Sequence, residues 1–167
     1  MKISVPFFWQ DTKYTCGPAS LQMVLSFLGD FKSEFSLAKA VHVSKESGTK
    51  HSSMIEVACR EGFFCYVNSQ STVNEIKHFL ALGFPVILDY TEPSSDEGHY
   101  AVVVAIARGG FLMKEKVYLN DPWHGANYSL ALDELLPRWH DPLTKSHGWM
   151  MVLSKEDFNI GKQYLPS

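Results

Sequence analysis

Cys16 stands in the run Gln10-Asp11-Thr12-Lys13-Tyr14-Thr15-Cys16-Gly17-Pro18-Ala19-Ser20, where a loop gives way to a stretch of helical periodicity. A free thiol has a pKa of about 8.5, so little of it is thiolate at neutral pH. A helix N-terminus carries roughly half a positive charge and unpaired N–H groups, and both favour the thiolate. Gly17 leaves room for a substrate to approach the backbone closely. Pro18 suits the first helical turn, because its missing N–H would be unpaired there. A cysteine placed this way is set up for nucleophilic attack. Gln10, six residues upstream, carries an amide donor that can stabilise an oxyanion together with the backbone N–H of Cys16.

A thiol nucleophile needs a rigidly held imidazole. Of the seven histidines, His99 has the best setting. It follows Gly98 and opens the apolar run Tyr100-Ala101-Val102-Val103-Val104-Ala105, so it is expected at the mouth of a core strand, fixed but reachable. His42, His51 and His78 have polar neighbours and read as surface histidines. His124 falls in a loop, where it is a weaker base that could line the site. His140 and His147 flank a Pro-containing loop. The base needs an acceptor for its other ring nitrogen. Asp121, followed by Pro122, ends the strand-like run Val117-Tyr118-Leu119-Asn120 and is the candidate. Asn120 competes, and successive strand residues face opposite ways, so only one of the two can serve.

Cys59 and Cys65 read as core cysteines that could pair in an oxidising compartment. Their spacing matches no zinc motif, and nothing in these residues calls for a metal or another cofactor. Trp9, Tyr100, Trp123 and Trp139 are candidates for lining a peptide groove, although packing is the commoner use of such rings.

Particular elements must position these groups. Leu21, Val24, Leu25 and Leu28 recur at helical spacing from Ala19 to Leu28, and Gly29 stops the run. Ser33 to Ser36 precede a short helix around Leu37 to Val41. Ser52 or Ser53 caps a third helix through Met54, Val57 and Ala58, which Gly62 ends. Phe63 to Val67 is a short strand. Ser71 or Thr72 caps a helix from Val73 to Leu82. Strands are expected at Pro85 to Tyr90, Tyr100 to Ala107 and Lys116 to Leu119, then a helix from Leu130 to Trp139 and a last strand from Trp149 to Leu153. Helices come first and strands later, so the fold class is α+β.

The chain has 167 residues and a mass of 18.9 kDa, with no linker or repeat, so one domain over 1–167 is expected. An apolar fraction of 46% and a charged fraction of 20% argue against disorder. A formal charge of −3 with no basic stripe argues against nucleic acid as a partner. The longest apolar run, Tyr100 to Ala107, is far short of the roughly 18 residues a membrane helix needs. The N-terminus lacks the apolar core and cleavage site of a leader, so a cytoplasmic location is expected. Three cysteines are too few for a disulfide scaffold.

Gln10, Cys16-Gly17-Pro18-Ala19-Ser20, Gly98-His99-Tyr100 and Asn120-Asp121-Pro122, in that order, resemble the C39 group of papain-like cysteine peptidases. The resemblance runs from Val5 to about Leu153. It implies a papain-like fold, with a helical N-terminal half packed on an antiparallel sheet. It also implies Cys16 as nucleophile, His99 as general base and then acid, Asp121 as the group orienting it, and Gln10 in the oxyanion hole. The substrate it implies is a peptide or protein. Many members precede peptide-exporting transporters and cut leaders after a double glycine. Thr15 departs from those, which usually have Asp there, and Cys16-Gly17-Pro18-Ala19-Ser20 looks more like the stand-alone subgroup. The run Cys16 to Leu25 is also similar to the start of phytochelatin synthases, which share the fold and transfer an acyl unit between thiol peptides. Peptide hydrolysis leads. Acyl transfer or deamidation on the same residues, and a peptide-binding module without turnover, stand beside it.

Overall fold

A computed structural model describes residues 2–108, 110, 112–160 and 163–167. Three helices come first: α1 (Cys16–Phe27), α2 (Glu34–Ala40) and α3 (His51–Arg60). The rest is mostly strand, with two helices inserted: β1 (Phe64–Asn68), α4 (Val73–Ala81), β2 (Val86–Thr91), β3 (Gly98–Arg108), β4 (Glu115–Asp121), β5 (Gly125–Ala131), α5 (Leu132–Arg138), β6 (Met150–Ser154) and β7 (Gln163–Tyr164). The seven strands form one antiparallel sheet in the order β5-β4-β3-β2-β6-β1-β7. The class is α+β, as expected.

The sheet is covered on both faces. Tyr100, Val102 and Val104 of β3 point to one side, where Leu21, Val24 and Leu25 of α1 and Met54 and Val57 of α3 close a core. Ala101 and Val103 point to the other, against Ile76, Phe79 and Leu80 of α4 and Leu135 of α5. This is the alternation a strand buried on both faces must show. Leu21, Leu25, Ile87 and Leu88 are almost wholly withdrawn from water, and each such side chain contributes about 1.5–3 kcal/mol relative to exposure.

Several expected boundaries move. The Ser33 hydroxyl accepts the Ser36 N–H at 3.2 Å and starts α2 at Glu34, three residues before Leu37. Thr72, not Ser71, caps α4. Its hydroxyl accepts from Glu75 N–H while Glu75 accepts from Thr72 N–H at 2.8 Å, two orphan donors satisfied reciprocally. Ser52 and Ser53 do not cap α3. The cap is Lys50, and both serines sit inside the first turn. Leu130 belongs to β5, a strand the sequence reading lacked. Leu130 and Ala131 pair with Val117 and Lys116, and the helix begins only at Leu132.

Candidate active site

α1 begins at Cys16, so the Cys16 thiol stands on the first residue of a helix and is almost buried. The capping side chain such a terminus usually has is missing. The Thr15 hydroxyl is held by the preceding turn, accepting from Thr12 N–H at 3.0 Å and donating to the Thr12 carbonyl at 3.2 Å. Pro18 has no N–H. The first-turn donors of Cys16 and Gly17 are left without a side-chain cap. Glu34, buried at the start of α2, accepts the Asp11 N–H with both carboxylate oxygens at 3.0 and 3.1 Å, which ties the loop before Cys16 to α2.

Gly17 has a packing reason that the sequence reading did not give. A Cβ at this position would lie 2.8 Å from Cβ and Oγ1 of Thr49, so a packed Thr49 side chain occupies the space a larger residue would need. Tyr100 is likewise a packing residue and not a groove lining. It is buried, its hydroxyl donates to the Thr49 carbonyl at 2.9 Å, and its ring stands edge-on to Trp149 and His51. Trp139 is buried too, with its indole N–H on the Trp149 carbonyl.

β3 and β4 are antiparallel neighbours, and their ends bring His99 to Asp121. His99 Nε2 lies 2.9 Å from Asp121 Oδ1, which leaves Nδ1 for the Cys16 side. Burial alone would lower the His99 pKa. The hydrogen bond to Asp121 and the adjacent Cys16 thiol outweigh it, and the imidazole is pushed up to about 10. Asp121 is fully buried. It accepts the Tyr90 hydroxyl at 2.7 Å on Oδ2, and the backbone N–H groups of Trp123 at 2.8 Å and His124 at 2.9 Å on Oδ1. Burial pushes its carboxyl up, but the bonds from His99, Tyr90 and His124 N–H hold it below the usual range. Asn120 faces elsewhere. Its amide donates to the Val5 carbonyl at 3.0 Å and pins the N-terminal arm beside the sheet.

That arm carries Gln10, whose backbone N–H donates to the Pro122 carbonyl at 3.1 Å. The Gln10 amide nitrogen donates to the Thr12 carbonyl at 2.7 Å, which leaves one of its two N–H groups free, and Oε1 is buried without a partner. A cleft of about 240 Å³ opens here, lined by Gln10, Lys13, Glu92, Ser94, Ser95, Glu97, Gly98, His99 and Trp123. A larger one, about 450 Å³, lies between the Cys16 loop and α2, but neither His99 nor Asp121 lines it. Trp123 and Trp9 are exposed. Trp9 reaches to 3.3 Å from where a Cβ on Gly125 would stand, so the turn into β5, with Gly125 at φ +118°, is built under its ring.

The sequence reading passed over Tyr90 and Glu92 and gave His124 and His51 no partner. Tyr90 supplies a hydroxyl to Asp121; only its place in β2 opposite His99 marks it. Glu92 accepts from Ser94, Ser95 and His124 Nε2 (2.6 Å), and although burial raises it, these bonds bring its carboxyl down to about 2. His124 is thereby engaged by Glu92, with its ring stacked on Tyr128. His51 is no free surface histidine. It stacks on Trp149 at 4.0 Å, and its Nε2 lies 2.7 Å from Oδ2 of buried Asp89. No cluster of three or more metal-ligating side chains occurs among the described residues, nor a helix long and apolar enough to cross a membrane.

The model of the Peptidase_C39 like family matches residues 2–147. The chain belongs to that family. No protein of curated function matches the sequence. Solved C39 structures share the fold. A C39-like peptidase from Bacillus anthracis superposes with a TM-score of 0.71 at 15% identity, covering 94% of this chain and 99% of that one. The peptidase domain of Streptococcus ComA, a bifunctional ABC transporter of a quorum-sensing pathway, gives 0.67 at 19%, covering 90% and 98%. A double-glycine-motif protease from an AMS/PCAT transporter, solved with its leader peptide, gives 0.63 at 21%, covering 91% and 92%. A C39-type cysteine-peptidase fold therefore accounts for nearly the whole chain.

Proposed function

We propose that this C39-like protein hydrolyses a peptide bond through an acyl-enzyme on Cys16. The observation that carries the reading is His99, buried, fixed by Asp121 on one ring nitrogen and set beside the Cys16 thiol on its other side. His99 takes the thiol proton, and the Cys16 sulfur attacks the carbonyl carbon. The oxyanion is met by the uncapped N–H groups at the start of α1 and the free amide N–H of Gln10. As the tetrahedral intermediate collapses, imidazolium gives its proton to the leaving amine. Water, deprotonated by His99, then attacks the thioester and releases the acid. Asp121 holds the imidazole in one orientation throughout and stabilises its charged form. The substrate is a peptide or protein segment laid in the cleft beside His99, with Trp123 and Trp9 as exposed apolar contacts.

Wild-type and Cys16→Ala proteins incubated with peptide libraries and followed by mass spectrometry test this directly. Turnover by the wild type alone is expected, and the products identify the cleaved bond. Iodoacetamide at neutral pH should label Cys16 in the native protein far faster than Cys59 or Cys65, and native Cys16→Ala should lose that fast labelling. Cleavage by Cys16→Ala would end the reading.

A further inference from the structure

Cys59 and Cys65 take no part in the cleft. Cys59 lies in the last turn of α3 and Cys65 in β1, and between them Gly62, at φ +90°, turns the chain back on itself. The two sulfurs stand 3.6 Å apart, both free. Cys65 is wholly buried and, among the described residues, has only one other contact within hydrogen-bonding range, the Phe63 carbonyl at 3.9 Å. Cys59 is 7% exposed against 0% for Cys65, so it is the residue of the pair nearer to solvent. Burial, with Cys59 beside it, pushes the Cys65 thiol far up and makes it a poor first attacker.

We propose that Cys59 and Cys65 form a redox modification site, a dithiol that closes to an intramolecular disulfide by exchange with a small-molecule disulfide of the glutathione type. The Cys59 thiolate attacks one sulfur of the reagent. A mixed disulfide forms, and one small thiol leaves. Cys65, giving its proton to solvent, then attacks the Cys59 sulfur, the Cys59–Cys65 bond forms, and the second small thiol leaves. Two protein thiols are oxidised and one reagent disulfide is reduced to two thiols. The sulfurs must close by about 1.6 Å to reach the bond length of about 2.0 Å. The bond ties the end of α3 to β1 where the C-terminal segment also docks. Ser167 N–H donates to the Cys59 carbonyl at 3.1 Å, and Tyr164 pairs with Cys65.

The test equilibrates the 167-residue wild type and its Cys16→Ala variant in buffers of graded oxidised to reduced glutathione. Samples are acid-quenched, unfolded, alkylated and peptide-mapped. In both proteins the Cys59 and Cys65 segments should be found joined, two hydrogens lighter and closed to alkylation until dithiothreitol is added. Cys59→Ser and Cys65→Ser should show no internal bond. The oxidised Cys16→Ala protein should melt a few degrees above its reduced form. Recovery of both thiols alkylated from the most oxidising buffer overturns the proposal. So does a bond pairing either one with Cys16, or an unchanged or lower melting midpoint on oxidation. None of these outcomes depends on peptide cleavage.

Discussion

Two histidine–aspartate pairs sit on this sheet, and their carboxylates are treated in opposite ways. His99 meets Asp121 at 2.9 Å and His51 meets Asp89 at 2.7 Å, and both aspartates are buried. Asp121 receives three further bonds, from Tyr90, Trp123 N–H and His124 N–H, and its pKa is lowered. Among the described residues Asp89 has His51 alone and its Oδ1 is unpartnered, and burial, with Asp141 nearby, raises its pKa against the pull of His51. Desolvation is the leading influence on both carboxyls. What separates them is the number of donors supplied. A His–Asp contact is therefore not by itself a charge-holding device. The turn after β4 and the Tyr90 hydroxyl make one of Asp121.

Removing each imidazole gives the largest contrast. His99→Ala should lower kcat/KM by about 10²–10⁴-fold, the usual worth of a positioned acid–base group, while His51→Ala should stay within a few fold. Steady-state kinetics on the peptide found by the library screen would decide it, and equal losses would erase the distinction. Asp121→Asn comes next. It should slow turnover by about 10²-fold or more, since orientation and the partner charge are both lost. The alkaline limb of the wild-type pH profile should lie near the His99 value of about 10, and it should move to lower pH in Asp121→Asn. Asp89→Asn should leave that limb in place.

The difference between the pairs was only half legible in the sequence. Cys16 before Gly17-Pro18 and His99 before a Val-rich strand are local patterns, and periodicity located α1 and β3 within a few residues. That β3 and β4 are neighbours is shown by their pairing and not by their apolar runs, and their ends bring His99 and Asp121 together. His51 carried no such signal. Its partner Asp89 is 38 residues away inside an apolar strand, and its stacking partner Trp149 is almost a hundred away, so only tertiary packing reveals the pair. Tyr100 was misread as a groove lining, and the packing need for glycine at Gly17 was hidden, for the same reason: both answer to Thr49, a residue with no pattern of its own. β5 was hidden because its polar residues Asn127, Tyr128 and Ser129 give no alternation strong enough to separate Leu130 from the helix after it.

Stability against pH should also separate the pairs. His99 is raised in the folded state, so its contribution is full below about 6.5 and is lost as pH climbs towards about 10. Asp121 is lowered, so its contribution is present above about 3.9 and is lost as pH falls through the folded value. Chemical denaturation across pH should show both slopes in the wild type, and Asp121→Asn should flatten the acid one. Tyr90→Phe leaves one Asp121 oxygen without its donor and should cost about 1.5–3 kcal/mol, the range for a bond to a charged group.

The smallest effect is expected at Asp89. Its raised pKa means the folded state holds that proton more tightly than the unfolded chain, so rising pH through the window above about 3.9 works against folding. Asparagine keeps an oxygen for His51, keeps the size and removes the charge. Asp89→Asn should therefore be neutral or stabilise by up to about 1 kcal/mol at neutral pH, with the sign reversing where the wild-type carboxyl is protonated. A loss of several kcal/mol at neutral pH would mean that Asp89 is held charged by His51 as firmly as Asp121 is by its four donors. The two pairs would then be alike in electrostatics, and donor number would not be what sets them apart.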